Sequence, residues 1–279
     1  MRNETYTLIT GASEGFGKAL ALECARRKMN LILVALPGSG LNHLTCYIER
    51  NFDVKVLFFE HDLAKKEECY HLYEEINDRG LAMNVLINNA GMGGSHFFED
   101  RDTGYYHRQI ELNVVAPTIL THLFLDTLKK NQPSHILYVG SLAGFFYLPG
   151  KQVYGGTKSY LFAFSKSLRK ELLSKKVYVS IICPGGMNTN LALTVMNRHQ
   201  KGFNRWCLMK PEEVAAIAIR KMLQKKEVII PGKWNRFFML LDKLIPTRIK
   251  ELITNLAMKQ HSDYKSPVSP IIHPLKKAI

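Results

Sequence analysis

The chain has 279 residues, 46% of them hydrophobic and 22% charged, with a formal net charge of +14 at pH 7. That length accommodates one α/β domain with a large core, not two of ordinary size, and the composition is that of a globular protein. No apolar run approaches the ~18 residues a membrane span needs, and the five cysteines (24, 46, 69, 183 and 207) have no close pairs, so neither a metal site nor a disulfide framework is expected.

Tyr6-Thr7-Leu8-Ile9-Thr10 reads as a short buried strand, entered so early that no room is left for a signal peptide. It runs straight into Gly11-Ala12-Ser13-Glu14-Gly15-Phe16-Gly17 and an amphipathic helix with Leu20, Leu22 and Ala25 among its apolar positions. Strand, glycine turn and helix together form a phosphate-cradling arrangement, because bare amides at a helix N-terminus attract an anion and side chains there would block it. The spacing is Gly-x-x-x-Gly-x-Gly rather than the better-known Gly-x-Gly-x-x-Gly. Strand patterns recur at 5–9, 30–35, 54–59, 83–88, 134–140, 177–183 and 227–231. Helical patterns lie between them, at 15–28, 40–50, 65–79, 103–130, 152–175 and 211–224, the last opened by Pro211-Glu212-Glu213. Such alternation predicts an α/β fold, a doubly wound parallel sheet built by right-handed crossovers, with its ligand at the carboxyl ends of the strands.

Three constellations stand along this frame. Val85-Leu86-Ile87-Asn88-Asn89-Ala90-Gly91 is a buried strand ending in two amides and a glycine beside the expected crevice. Asn113 interrupts a helical stretch, where an inward-facing amide needs a reason. Tyr154-Gly155-Gly156-Thr157-Lys158 places a phenol and an ammonium on one helix face, one turn apart, with Ser141 thirteen residues earlier. A phenol titrates near ~10, and a neighbouring cation favours its ionised form.

Residues 185–209 make a long connection with little periodicity, as lids do; Met187, Leu191, Leu193, Val195, Met196, Phe203 and Trp206 would give it an apolar lining. After Gly232, the residues Trp234, Phe237, Phe238, Leu241, Leu244 and Ile245 recur at helical spacing, with Arg236 and Lys243 off the stripe. Pro246 interrupts, and a second pattern follows through Ile249, Leu252, Ile253 and Leu256. A basic amphipathic segment of this kind can lie on an anionic membrane surface, roof a pocket or pack on a partner. Residues 261–279 read as a flexible tail. Lys and Arg are scattered through the helices rather than massed with aromatics, so no nucleic-acid partner is expected.

The order and spacing of Thr10-Gly11-x-x-x-Gly15-x-Gly17, Asp62-Leu63, Asn88-Asn89-Ala90-Gly91, Asn113, Ser141, Tyr154-x-x-x-Lys158 and Pro184-Gly185 followed by Thr189 resemble the short-chain dehydrogenase/reductase family, from about residue 4 to residue 232. The resemblance implies a Rossmann fold over 1–232, and the helical spacing beyond it adds an extension at 233–260. It implies NAD(P)-dependent interconversion of a ketone and a secondary alcohol. Tyr154 would be the acid or base, Lys158 would lower its pKa and hold the nicotinamide ribose, Ser141 would steady the carbonyl oxygen, and Asn113 would hold a water linking Lys158 to solvent. Gly11, Ser13, Glu14, Gly15, Phe16, Gly17, Asp62, Leu63, Asn89, Ala90, Gly91, Pro184, Gly185 and Thr189 would contact the cofactor, with Asp62 at the adenine and Thr189 at the carboxamide. A homo-oligomer is implied, in the cytoplasm and with peripheral membrane contact open through 233–260.

An acid about ~20 residues past the glycine motif would mark NAD; here the second strand ends Val34-Ala35-Leu36-Pro37, with no acid, which favours NADP(H). The arginine that many NADP-using relatives place at this turn is missing too. The apolar lid and the flank Phe145-Phe146-Tyr147-Leu148 suggest a lipophilic carbonyl substrate of 3-oxoacyl, keto-lipid or steroid type. The alternative from another class is a non-catalytic NAD(P)-binding sensor or scaffold. Such proteins typically lose the tyrosine or lysine, and both are here.

Overall fold

The computed structural model describes residues 4–188 and 207–244. Strands β1 (Tyr6–Thr10), β2 (Asn30–Ala35), β3 (Val56–Glu60), β4 (Met83–Asn88), β5 (Ser134–Val139), β6 (Val177–Ile182) and β7 (Val228–Ile229) pair in parallel in the order β3-β2-β1-β4-β5-β6-β7. Runs such as Leu31-Ile32-Leu33-Val34 are buried throughout. A parallel sheet has helices on both faces, so its strands need no polar side.

The helices are α1 (Gly15–Arg26), α2 (Leu41–Asn51), α3 (Lys66–Asp78), α4 (Thr103–Ile110), α5 (Ala116–Lys130), α6 (Gln152–Leu172), α7 (Pro211–Leu223) and α8 (Lys233–Leu244). On one face, Leu20 and Cys24 of α1, Ile48 of α2 and Val214 and Met222 of α7 cover Ile9, Leu31 and Leu33. On the other, Leu72 and Ile76 of α3, Leu120 and Phe124 of α5 and Leu161 of α6 cover Leu8, Ile32 and Leu86. Neighbouring strand residues thus feed opposite cores, as the two-residue period of a strand requires.

From β1 the chain works outward to β2 and β3, then returns to β4 on β1's other side. That reversal opens a crevice at the carboxyl ends of β1 and β4, where doubly wound sheets bind their ligands.

All seven expected strands form, and two expected elements differ. The helix expected over 103–130 breaks register at Glu111–Val115, which forms a π-turn around Asn113. Pro117 has no N–H to give the carbonyl of Asn113 four residues earlier, which removes an α-helical bond at this point. Single π-turns inside helices recur at functional sites. The seventh strand, expected over 227–231, keeps only Val228–Ile229. Pro231 cannot donate to a ladder, and Gly232 turns the chain with φ +85.

The first compact unit extends to Leu240, and residues 241–279 form a second. In α8, Asn235 is buried, whereas Trp234 and Phe237 are 37% and 50% exposed with their rings edge to face at 6.2 Å. Phe238, Leu241, Leu244 and Ile245 of the expected stripe, the pattern through Ile249, Leu252, Ile253 and Leu256, and the tail at 261–279 fall outside the described side chains. Among the described residues no helix is long and apolar enough to cross a membrane.

Candidate active site

The crevice begins at the glycine turn. Gly11 and Gly15 adopt φ +64 and +54, a region L side chains rarely enter. A Cβ on Gly11 would stand 2.8 Å from the Ala90 Cα, and one on Gly17 would run into the Gly11 carbonyl oxygen. The turn is therefore packed backbone to backbone, leaving its N–H groups at the start of α1 bare toward an anion. Glu14 is exposed at the N-cap of α1 with no side-chain cap, Ser13 is half-buried, and Phe16 is buried in the core.

Thr10 and Asn89 lace this turn to the end of β4. The Asn89 and Ala90 N–H groups both donate to Thr10 Oγ1 at 3.0 Å, and Asn89 Nδ2 donates to the carbonyls of Thr10 and Gly11 at 2.9 and 3.0 Å. Asn89, expected beneath the cofactor, spends its amide donors holding the cradle in shape. Asn88 points the other way and donates to Thr121 Oγ1 at 3.2 Å.

Asp62, expected at the adenine, follows β3 and takes both guanidinium nitrogens of Arg108, at 3.1 and 3.0 Å. Arg108 was not foreseen, because nothing local marks a residue on α4 as the partner of one 46 positions away. Leu63 is buried in the core. At the turn after β2, Leu36 is half exposed, and the Gly38 N–H donates to Glu60 Oε1 at 3.0 Å. That contact ties the turn after β2 to the end of β3.

Asn113 is buried, and both donors of its amide are engaged. Its Oδ1 accepts from the Met92 N–H at 2.9 Å, and its Nδ2 donates to Met92 O at 2.9 Å and Thr157 Oγ1 at 3.1 Å. The π-turn presents this side chain to the loop after β4 and to α6 together. A Cβ on Gly91 would lie 3.0 Å from Asn113 Oδ1 and 3.5 Å from Lys158 Nζ, so glycine there lets the loop approach both.

Ser141 follows β5 and caps the 3-10 turn Leu142–Gly144 by accepting from the Ala143 N–H at 3.1 Å. That turn sits directly on α6, where Ser159 Oγ donates to Gly144 O at 2.6 Å and a Cβ on Gly144 would lie 2.9 Å from the Lys158 backbone. The close fit sets the Ser141 hydroxyl beside the Tyr154 phenol, where it favours the ionised form. Lys158 is buried one turn on, donates to Val139 O at 2.8 Å and stands 5.7 Å from the Tyr154 ring centroid. Phe145 packs on Phe162 at 4.7 Å instead of lining the crevice, and Tyr147 is exposed.

Burial dominates the electrostatics of the ligand-free site. Burial raises the Tyr154 phenol above its ordinary value, and the Ser141 hydrogen bond only opposes that shift. Burial also pushes the Lys158 ammonium down to about 8. Both shifts have one cause, because burial disfavours the charged form of each group.

Lys158 also carries a stability signature. A depressed lysine destabilises the fold while folded and unfolded chains both hold the proton, below about 8; the penalty fades up to the ordinary 10.5, because the folded chain releases its proton first. The unfolding free energy of wild type relative to Lys158→Met is therefore expected to rise with pH across this window, by up to roughly 3 kcal/mol. Denaturant unfolding at both ends of the window checks this, and a difference independent of pH would contradict it.

Pro184 and Gly185 leave β6 beside Ser141, with the Leu142 N–H donating to Pro184 O at 2.9 Å. A Cβ on Gly185 would meet Asn235 Oδ1 at 2.8 Å. Asn235, another residue hidden from sequence reasoning, donates to Pro231 O at 2.9 Å and Cys207 O at 3.4 Å. The expected lid has both described ends joined by a bridge between Met187 and Met209, and Met187 packs on the core. Thr189, Leu191, Leu193, Val195, Met196, Phe203 and Trp206 lie outside the described residues.

Comparison with known proteins follows this geometry. The family model described as short chain dehydrogenase matches residues 5–200. The NADP-dependent 3-hydroxy acid dehydrogenase of Schizosaccharomyces pombe is 30% identical over 229 residues, covering 80% of this chain and 88% of the relative. Human 17-beta-hydroxysteroid dehydrogenase type 3 is 30% identical over 188 residues, 66% of this chain but only 59% of that relative's length. A crystal structure of the bulky-bulky ketone specific alcohol dehydrogenase from Comamonas testosteroni superposes with a TM-score of 0.73 at 26% identity, covering 96% of this chain and 98% of that one.

Proposed function

Because this chain belongs to the short-chain dehydrogenase/reductase family of oxidoreductases, we propose that it reduces a lipophilic ketone to a secondary alcohol with NADP(H). One observation carries the reading: Ser141, Tyr154 and Lys158 converge at the carboxyl ends of the central strands, next to the glycine cradle. The cradle suits a dinucleotide, since Cβ atoms on Gly11 and Gly17 would fill the backbone contacts that shape it. The bound cofactor supplies the hydride. The chain supplies the proton: a phenol raised by burial stays protonated at neutral pH and can give its proton to the carbonyl oxygen. Ser141 Oγ would hold that oxygen as negative charge develops on it. The buried Lys158 ammonium would hold the nicotinamide ribose, and Asn113 fixes the loop and helix that frame it.

The preference for NADP(H) is supported by the fission-yeast relative's name and by the missing acid at the end of β2. Leu36, half exposed just past that strand, is the position that would face the 2′ substituent. Leu36→Arg is expected to raise the NADPH-to-NADH affinity ratio about tenfold, because a guanidinium pairs with phosphate through two hydrogen bonds. Leu36→Asp is expected to lower it. Fluorescence titration with each cofactor checks both, and an unchanged ratio would place the discriminating contact elsewhere, with Glu60 the next position to vary. For the substrate, the steroid and bulky-ketone names of relatives support a large apolar carbonyl compound.

The test is to follow NADPH and NADH oxidation against 3-oxoacyl thioesters, long-chain ketones and ketosteroids. The reading expects NADPH oxidation that increases with the apolar size of the ketone. Tight cofactor binding with no oxidation across the panel would favour the sensor alternative.

A further inference from the structure

Lys151 lies at the N-terminal end of α6, directly after Gly150 at φ +77, and takes no part in the roles above. Its Nζ stands 5.6 Å from the Tyr154 ring centroid, as close as the Lys158 ammonium at 5.7 Å. The reactive ring therefore has two ammonium groups beside it. Lys158 has a good acceptor in Val139 O at 2.8 Å, whereas the acceptor of Lys151 is Gly94 O at 3.4 Å, long for a hydrogen bond. Among the described residues no carboxylate pairs with Lys151.

The loop after β4 encloses it. The loop after β4 brings His96 against Gly150, where the His96 N–H donates to Gly150 O at 3.0 Å. The Arg101 guanidinium lies 5.1 Å from the Tyr105 ring centroid, and of the loop's acids Asp100 is engaged by the Phe97 N–H at 2.8 Å and Asp102 by the Tyr105 N–H at 2.7 Å. Tyr105 donates to Gly93 O at 3.1 Å, and Tyr106 to Phe98 O at 2.7 Å. Burial lowers the pKa of both Lys151 and His96. A desolvated ammonium with one weak acceptor gains from any further acceptor oxygen, because a charge-assisted hydrogen bond is stronger than a neutral one.

We infer that Lys151 is a specificity-determining residue whose ammonium holds a second acceptor oxygen of the substrate while the ketone lies at Tyr154. That is the chemistry of a 3-oxoacyl group, whose acyl carbonyl is two carbons from its ketone, and not of an isolated ketone. The inference rests on the ketone-reducing reading and narrows it to one substrate class.

The test uses the full chain with the N-acetylcysteamine thioester of a 3-oxo acid and the methyl ketone of the same alkyl length. Lys151→Met is expected to lower kcat/KM for the thioester at least about tenfold and to change that for the methyl ketone less than threefold. Lys151→Arg, which keeps the charge, is expected to retain most of the thioester activity, and melting curves confirm that both variants fold. Equal losses on the two substrates would overturn the inference, since Lys151 would then act on Tyr154 itself. Unchanged thioester kinetics would overturn it as well. Calorimetric binding of the 3-hydroxyacyl thioester to wild type and Lys151→Met makes the same comparison without turnover, and equal affinities would again overturn it. Failure of Lys151 recognition is thereby told apart from failure of the ketone-reducing reading.

Discussion

Tyr154→Phe is expected to lose more than about 99% of turnover, a barrier increase above ~2.7 kcal/mol, while binding the cofactor nearly as well as wild type. The substitution removes one hydroxyl and leaves the ring between Lys151 and Lys158 in place. Ser141 keeps the Ala143 N–H at 3.1 Å, so the 3-10 turn holds. Because the buried phenol is protonated at neutral pH, it is available as an acid at this point of the crevice. Steady-state kinetics and a cofactor titration on the same preparation separate the two effects. A variant retaining more than about one per cent of the rate would show that another group or water delivers the proton.

Gly17→Ala is expected to weaken cofactor binding more than about 100-fold and to lower stability by up to roughly 3 kcal/mol. The added methyl would run into the Gly11 carbonyl oxygen and lie 2.6 Å from Asn89 Nδ2. Neither can yield cheaply, since Gly11 O and Asn89 Nδ2 are bonded to each other at 3.0 Å and Asn89 also holds Thr10 O. The turn must open, and its shape is what aims the N–H groups of α1 at an anion. Gly156→Ala is the matched control. A Cβ there meets nothing within 4 Å on α6, so relief of glycine's helix penalty should stabilise the chain by about 0.5–1 kcal/mol. Equal behaviour of the two variants in melting and in cofactor titration would contradict the cradle described here.

What the sequence made legible were features written in short periods. The strand runs, the glycine turn and the Tyr154-x-x-x-Lys158 spacing each lie within a few residues and reappear in the fold where their patterns put them. What it hid depends on partners far apart along the chain. Arg108 finds Asp62 across 46 positions, and Asn89 finds Gly11 across 78, after the sheet has formed. The π-turn at Asn113 had a local cause in Pro117, a signal available in the sequence but masked by the strong helical pattern on either side. The upward push of burial on the Tyr154 phenol was hidden because charge pairing can be read from spacing, whereas burial needs the packed fold.

The central claim is that this crevice moves a hydride to a ketone while Tyr154 moves the proton. Its most direct test is incubation with nicotinamide cofactor deuterated at the transferable position and a 3-oxoacyl thioester, followed by mass spectrometry of the product. The account predicts an alcohol carrying one deuterium on the carbinol carbon from wild type and none from Tyr154→Phe. Cofactor held tightly by wild type, with no deuterated alcohol from that thioester or from the ketones and ketosteroids of the panel, would contradict it.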